Sequence, residues 1–121
     1  MKNLLTVTAV IEMMTGLVLI AFPSMLVKIL LGSSPDGPAA LTIARIAGVA
    51  IFALGTACWP GRNDSQGKAA RGLVTALLIY NFGVSVILIY AGLGLGLSCI
   101  GLWGIVMIHA AMGTWCIVKL S

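Results

Sequence analysis

Hydrophobic residues form four long runs along the chain, and each run is interrupted by very few strongly polar side chains. Each run is close to the roughly 20 residues that a helix needs to cross a bilayer. The pattern therefore predicts an all-α fold, an integral membrane bundle of four transmembrane helices that forms a single domain over residues 1–121. The predicted spans cover residues 4–22, 39–59, 72–91 and 97–120.

The first run carries its polar and small residues at helical spacing. Thr8, Glu12, Thr15, Gly16 and Leu19 share one face of a helix, while larger aliphatic residues occupy the remainder. We predict that this face points into the bundle. The run contains Glu12 and lacks a small-residue cleavage site, so we expect a retained helix and not a signal peptide.

Two features after Pro23 bear on helix packing. Residues 24–32 are too few to span a bilayer, carry one charge at Lys28 and end at Gly32, which is typical of a short capped helix at the membrane interface. In the second span, small residues recur every four positions, a spacing that lets two helix backbones approach closely. These predicted packing residues are Ala40, Ala44 and Gly48.

The distribution of basic residues predicts the orientation. Residues 60–71 form the one strongly hydrophilic stretch, and short loops rich in lysine and arginine stay on the cytoplasmic side. With four spans, both the N and the C terminus are then cytoplasmic, which adds Lys2 and Lys119 to that side. The opposite side carries only Lys28 and Asp36.

The composition supports a membrane protein and excludes several other classes. Of the 121 residues, 60% are hydrophobic and 8% are charged, and the mean hydropathy is +1.14, which is outside the range of soluble domains. The net charge of +4 comes from basic residues that flank apolar runs, so we expect no nucleic-acid partner. The three cysteines form no C-x-x-C pair, and we predict neither a disulfide framework nor a metal site.

Each predicted span holds one strongly polar candidate: Glu12, Arg45, Asn81 or His109. A charge near the bilayer centre costs at least about 2.5 to 3.5 kcal/mol on insertion scales, so it needs a partner, water or a lipid head group. Counted along the helices, three of these residues lie about 12 to 16 Å from the inner face, and Arg45 lies about 21 Å from it.

Two arrangements of these residues stay open. Arg45 either pairs with Glu12, so that Arg45→Ala would destabilise the bundle, or extends to the outer head groups. A complete cluster is either structural, fixing which helices pack together, or a site for a ligand or a proton. No nucleotide-binding, serine-hydrolase or zinc-protease signature is present, so we expect no enzymatic activity and assign no cofactor.

Several short motifs resemble those of small four-helix bacterial membrane proteins similar to the DoxX-like group. The motifs are Glu12 with Thr15, Gly16 and Pro23, then LLG at 30–32, ARIAG at 44–48, Tyr80 with Asn81, and His109 with Trp103 and Trp115. This resemblance implies a four-helix fold in the bacterial cytoplasmic (inner) membrane. Some DoxX-like proteins are associated with quinone-linked sulfur oxidation, but no redox motif matches here.

The sequence supports two functional hypotheses. The first is a non-enzymatic accessory or scaffold subunit that packs with other membrane helices, either copies of itself or a larger complex. The alternative is a ligand-handling protein, such as a small permease or a lipid or quinone binder, that uses the polar cluster. A dry cluster with satisfied hydrogen bonds would favour the first, and a cavity that reaches Glu12 and Arg45 would favour the second.

Overall fold

The computed structural model describes residues 1–64 and 67–121, and this part of the chain is all-helical. The elements are α1 Lys2–Ala21, α2 Pro23–Leu31, α3 Gly37–Gly61, a 3-10 helix Arg62–Asp64, α4 Lys68–Gly94 and α5 Ile100–Leu120. The helices α1, α3 (with the 3-10 helix that continues it), α4 and α5 are long and apolar enough to cross a membrane. The prediction of an all-helical chain with four such helices is confirmed.

The predicted hydrophilic loop over residues 60–71 is shorter in the structure, and two of its residues, Ser65 and Gln66, lie outside the described part. The helix α3 continues through Pro60 to Gly61, because the missing N–H of this proline removes only one helical hydrogen bond and the helix ends at the next residue. Beyond it, the guanidinium of Arg62 lies 3.5 Å from the centre of the Trp59 ring. This cation–π contact holds the chain against the end of α3.

The helix α4 extends beyond its predicted span at both ends. It begins at Lys68, because Ala70 is only 2% exposed and the long basic side chains of this turn can reach away from the apolar core. It ends at Gly94, inside residues 92–96, which separate the third predicted span from the fourth. Gly92, in this last part of α4, packs closely against the ring of Trp103, where a Cβ would come within 2.9 Å.

The helices α1 and α3 form a close antiparallel pair whose backbones touch. A Cβ on Gly16 would lie 2.7 Å from the carbonyl oxygen of Gly48 and from the amide nitrogen of Phe52. A Cβ on Gly55 would lie 2.7 Å from the amide nitrogen of Met13. Since the obstacles are backbone atoms, a side chain at these positions would force the helices apart.

The helices α4 and α5 form a second pair, and α2 crosses one end of the bundle between the two pairs. A Cβ on Gly101 of α5 would collide with the carbonyl group of Ile29 in α2. The Cys99 thiol donates a hydrogen bond to the Leu30 carbonyl oxygen at 3.3 Å. The left-handed backbone of Gly32 then ends α2 as expected of a glycine cap.

The buried apolar residues are concentrated at the two ends of the bundle. One cluster joins the beginning of α1 and of α4 to the ends of α3 and α5, and consists of Leu4, Leu5, Ala9, Cys58, Ala70, Val74, Leu77 and Cys116. The other lies beside α2 and is built on Ala91, Leu102 and Val106. We call these the terminal cluster and the α2-side cluster. The terminal cluster therefore joins the two helix pairs at one end, whereas the α2-side cluster lies within the α4–α5 pair, with Leu31 of α2 packed against it.

The contact between α1 and α3 makes a direct prediction about stability. We expect Gly16→Ala to destabilise the protein by about 1 to 3 kcal/mol, because the added methyl group overlaps backbone atoms that cannot rotate away. Gly83→Ala is the matched control, since a Cβ there has no neighbour within 4 Å. The measurement is the unfolding free energy in detergent micelles. Equal losses for both variants would contradict the close-packing explanation.

Candidate ligand-binding site

A cavity of about 700 Å³ lies between the two helix pairs, and all five α-helices contribute to its wall. Small-molecule sites usually measure about 300 to 1,000 Å³. Most of the lining side chains are aliphatic, and the polar ones are confined to Thr8, Glu12, Thr15, Tyr80, Asn81 and His109. The cavity is therefore an apolar chamber with one polar region.

The cavity is closed at both ends of the bundle and opens at its side. The terminal cluster closes one end. Residues of α2, among them Leu26 and Leu30, line the other end. Some lining residues are nevertheless exposed and lie near the middle of their helices, namely Ile11, Ala47, Ala50 and Ile108. The opening thus faces sideways at mid-helix height, where the spans are apolar.

The helix α1 has two adjacent stripes of residues, one that packs against α3 and one that lines the cavity. Ala9, Met13, Gly16 and Ile20 contact α3. Thr8, Glu12, Thr15 and Leu19, each one position earlier, line the cavity. One residue corresponds to about 100° of rotation around a helix, so the two stripes face different neighbours. Of the predicted inward face, Thr8, Glu12, Gly16 and Leu19 are buried.

Glu12 is 6% exposed and has one hydrogen-bond partner among the described side chains, Tyr80. The Tyr80 hydroxyl donates to Oε2 of Glu12 at 3.4 Å, which is long compared with the usual range of about 2.5 to 3.0 Å for O–H···O bonds. The Tyr80 ring also packs edge-on against His109, with the ring centres 5.5 Å apart. Tyr80 therefore links Glu12 to His109, but it satisfies the carboxylate weakly.

Asn81 and His109 form the shortest side-chain contact in this region, with Oδ1 of Asn81 2.8 Å from Nδ1 of His109. The amide orientation follows from a second bond, in which Nδ2 of Asn81 donates to the Leu77 carbonyl oxygen at 2.8 Å. Because Oδ1 carries no hydrogen, His109 Nδ1–H is the donor, and Nε2 of a neutral ring keeps its lone pair.

Arg45 does not join the other three predicted polar residues. Its side chain is exposed, and Nε donates to the Ile20 carbonyl oxygen at 3.3 Å. Ile20 lies eight residues beyond Glu12 in α1, which is about 12 Å along the helix. The antiparallel contact between α1 and α3 fixes this register and sets Arg45 toward the α2 end, away from Glu12.

The three predicted packing residues of α3 differ in their surroundings. Gly48 is buried in the backbone contact with α1, where a Cβ would lie 3.0 Å from the Ile20 amide nitrogen. Ala40 and Ala44 are half-buried. The close contact extends from Gly48 toward the C-terminal end of α3, away from Ala40 and Ala44. At Gly55 it is formed with the backbone atoms of Ala9 and Met13.

Two threonine hydroxyls distinguish the cavity from the rest of the bundle. In α-helices, threonine commonly donates to the carbonyl oxygen four residues earlier. Five threonines of this chain do so: Thr6, Thr42, Thr56, Thr75 and Thr114. For the other two, Thr8 and Thr15, the structure gives no such bond, and both line the cavity. Thr8 is 1% exposed, and its Oγ1 has no hydrogen-bond partner.

Tyr80 and Thr8 belong to the polar region although the sequence did not single them out as site residues. The sequence feature that could have identified them is their closeness to the predicted polar residues, since Tyr80 precedes Asn81 and Thr8 lies four residues before Glu12. Within the described part of the chain, no group of three histidine, cysteine or acidic side chains could hold a metal ion, and Cys58, Cys99 and Cys116 are free thiols.

Comparisons with family models, with curated proteins and with solved structures find no match to this chain. The resemblance to DoxX-like proteins therefore stays a hypothesis. The case for a function depends on the chemistry of the cavity: an apolar wall, a weakly bonded carboxylate, and an amide–imidazole pair.

The hydrogen bond between Asn81 and His109 predicts the protonation of the imidazole ring. We expect the neutral imidazole of His109 to carry its proton on Nδ1. In Asn81→Leu the acceptor for this proton is lost, so we expect the Nδ1 tautomer to be no longer favoured over the Nε2 tautomer. Nitrogen NMR spectra of labelled His109 report the tautomer. Ser85→Ala is the control, since Ser85 donates only to the Asn81 backbone carbonyl. A proton on Nε2 in the unmodified protein would contradict the geometry.

From the positions of Tyr80 and Arg45, we expect Tyr80 to be energetically coupled to Glu12 and Arg45 to be independent of it. A double-mutant cycle of Glu12→Gln with Tyr80→Phe should give a coupling energy of about 0.5 kcal/mol or more, because the two side chains touch. The cycle of Glu12→Gln with Arg45→Ala should be additive within about 0.5 kcal/mol. Unfolding free energies in micelles provide both values, and a strong coupling to Arg45 would restore the ion-pair hypothesis.

Proposed function

We propose that the protein is a ligand-binding membrane protein whose intramembrane cavity takes up a small amphipathic molecule. The observation that carries this proposal is the cavity of about 700 Å³ that reaches the buried carboxylate of Glu12. A bundle that used Glu12 only for packing would gain from closing around it, since an incompletely bonded carboxylate inside a membrane is costly.

The wall of the cavity matches an amphipathic occupant. Aliphatic side chains from all five α-helices surround its larger part and suit an apolar body. The polar groups of Thr8, Glu12, Tyr80 and His109 converge on one region and suit a single polar head. A few polar groups in an otherwise apolar concave site are typical of small-molecule binding.

The route of entry follows from the sideways opening. A molecule with an apolar body concentrates among lipid tails, and the exposed lining residues Ile11, Ala47, Ala50 and Ile108 lie at that height. The ligand therefore enters from the bilayer, without crossing either closed end. We infer no chemical conversion of the ligand, and the proposal is non-enzymatic.

The finer topology belongs to the same proposal. The basic residues favour cytoplasmic N and C termini, with α2 lying at the opposite membrane interface. The resemblance to DoxX-like proteins supports the bacterial cytoplasmic (inner) membrane as the location. Lipid is the constant partner, and a homo-oligomer or a larger complex is the further partner that the apolar outer faces allow.

The accessory-subunit hypothesis predicts that the outer faces bind other helices. Those faces are aliphatic, with residues such as Ile79 and Val86 strongly exposed. Lipid tails cover such faces equally well, so their exposure alone does not favour a protein partner. The cavity has no comparable explanation in a scaffold, and we therefore rank ligand binding first.

A cavity-filling substitution tests the proposal. Val84 lines the cavity, whereas Val86 on the same helix is 65% exposed. We expect the unmodified protein and Val86→Trp, gently extracted from their native membrane, to retain a small molecule in native mass spectrometry. Val84→Trp should lose it, because the indole occupies the space that the ligand needs.

The same spectra decide between the two hypotheses. Partner subunits retained by all three proteins, with no small molecule in any of them, would favour the accessory role and overturn the ligand proposal. A small molecule bound equally by Val84→Trp would place it on the outer surface, which would also overturn the proposal.

A further inference from the structure

The charges around the cavity are unbalanced. The chain has seven basic residues, yet none of the lysines or arginines lines the cavity. Arg45, for which pairing with Glu12 was one of two predicted arrangements, bonds to the Ile20 carbonyl oxygen. Glu12 thus faces an apolar chamber whose lining holds no lysine or arginine, and the imidazole of His109, with its proton on Nδ1, is neutral.

Three of the N–H and phenol O–H donors that line the cavity are already engaged within the protein. The Tyr80 hydroxyl donates to Glu12, and the His109 Nδ1–H donates to Asn81. One N–H of the Asn81 amide donates to the Leu77 carbonyl oxygen. A ligand head that only accepts hydrogen bonds, such as a carboxylate or a quinone carbonyl, is left with the hydroxyls of Thr8 and Thr15 and the second N–H of Asn81, and its oxygens would lie near the Glu12 carboxylate.

The acceptors of the cavity remain largely free. Tyr80 bonds only Oε2 of Glu12, so Oε1 has no partner among the described residues. Nε2 of a neutral His109 keeps a lone pair, because Nδ1 carries the proton. Thr8 adds a buried hydroxyl without a partner, and it lies one helical turn from Glu12 on the same stripe.

We propose that the head group of the ligand is a protonated amine, so that the occupant of the cavity is an apolar ammonium compound. Its N–H groups donate to Glu12, with Thr8 and Nε2 of His109 as further acceptors, and its apolar body occupies the aliphatic part of the cavity. The positive charge of the ammonium group supplies the cationic partner that Glu12 lacks within the protein. This inference rests on the proposed function, because it names the head group of the molecule that the cavity binds.

Three probes with the same apolar body separate the head groups: phenylbutylamine, phenylbutanol and phenylbutyrate. Binding is measured by calorimetry at neutral pH with the full chain in lipid nanodiscs, and empty nanodiscs correct for partition into lipid. We expect the amine to bind at least about tenfold more tightly than the alcohol, because both can donate a hydrogen bond to Glu12 but only the ammonium adds attraction between opposite charges. Phenylbutyrate should bind more weakly than the alcohol.

Variants assign the preference to residues. Glu12→Gln should bring the affinity for phenylbutylamine down to about that for phenylbutanol, and phenylbutanol that the variant still binds shows that it folds and keeps its cavity. Thr8→Val should weaken the amine severalfold but leave its trimethylammonium analogue unaffected, because that analogue has no N–H to donate. Ser85→Ala is the control and should change neither.

The outcomes distinguish this inference from the proposed function. Alcohol or carboxylate binding as tight as amine binding, or an amine preference that survives Glu12→Gln, would overturn the ammonium proposal while ligand binding stands. Binding of none of the probes, together with a small molecule retained in the mass spectra, would likewise overturn only the ammonium proposal. Binding of none and no retained molecule would overturn both.

Discussion

The shape of the bundle depends on the contact between the backbones of α1 and α3. Glycines at Gly16, Gly48 and Gly55 let the two helices touch and fix their antiparallel register. Since side chains one position apart on α1 face about 100° away from each other, this contact turns the neighbouring stripe of Thr8 and Glu12 toward α4 and α5. The second pair meets the first in the terminal cluster at one end and α2 lies between the pairs at the other, so the polar stripe faces a cavity between them. Backbone packing at one interface thus determines which chemical groups the cavity presents.

Glu12 is the point at which stability and function oppose each other. Its carboxylate is 6% exposed and receives one long hydrogen bond from Tyr80. Natural proteins keep such incompletely satisfied groups mainly at functional sites, where the rest of the fold stabilises them. Here the apolar clusters at both ends provide that stability. Asn81 and His109 differ from Glu12, because their hydrogen bonds are short and hold the side chains in a defined orientation.

The sequence predicted the helices better than the site. Long apolar runs are sufficient to identify four spans, because length and hydrophobicity are properties of each segment alone. Helical spacing likewise predicted that Glu12 faces inward. The position of Arg45 could not be obtained this way, because its distance from Glu12 depends on how α1 and α3 slide past each other. That register is set by Gly16, Gly48 and Gly55, and of the predicted packing residues only Gly48 is among them. Periodicity also shows which face is buried but not whether the space beside it is filled. The cavity and the role of Tyr80 therefore required the structure.

The membrane setting changes which groups determine binding. In water, an apolar ligand gains free energy by leaving the solvent. A ligand that enters this cavity from lipid gains little in this way, because lipid tails are as apolar as the aliphatic wall. Selectivity must then come from the few polar groups. Transfer from the bilayer into the cavity is most favourable for a head group that forms better hydrogen bonds with Glu12 and Thr8 than it forms in the bilayer. The unpartnered Thr8 hydroxyl is informative for this reason: five other threonines satisfy theirs on their own helices, and the two that line the cavity do not.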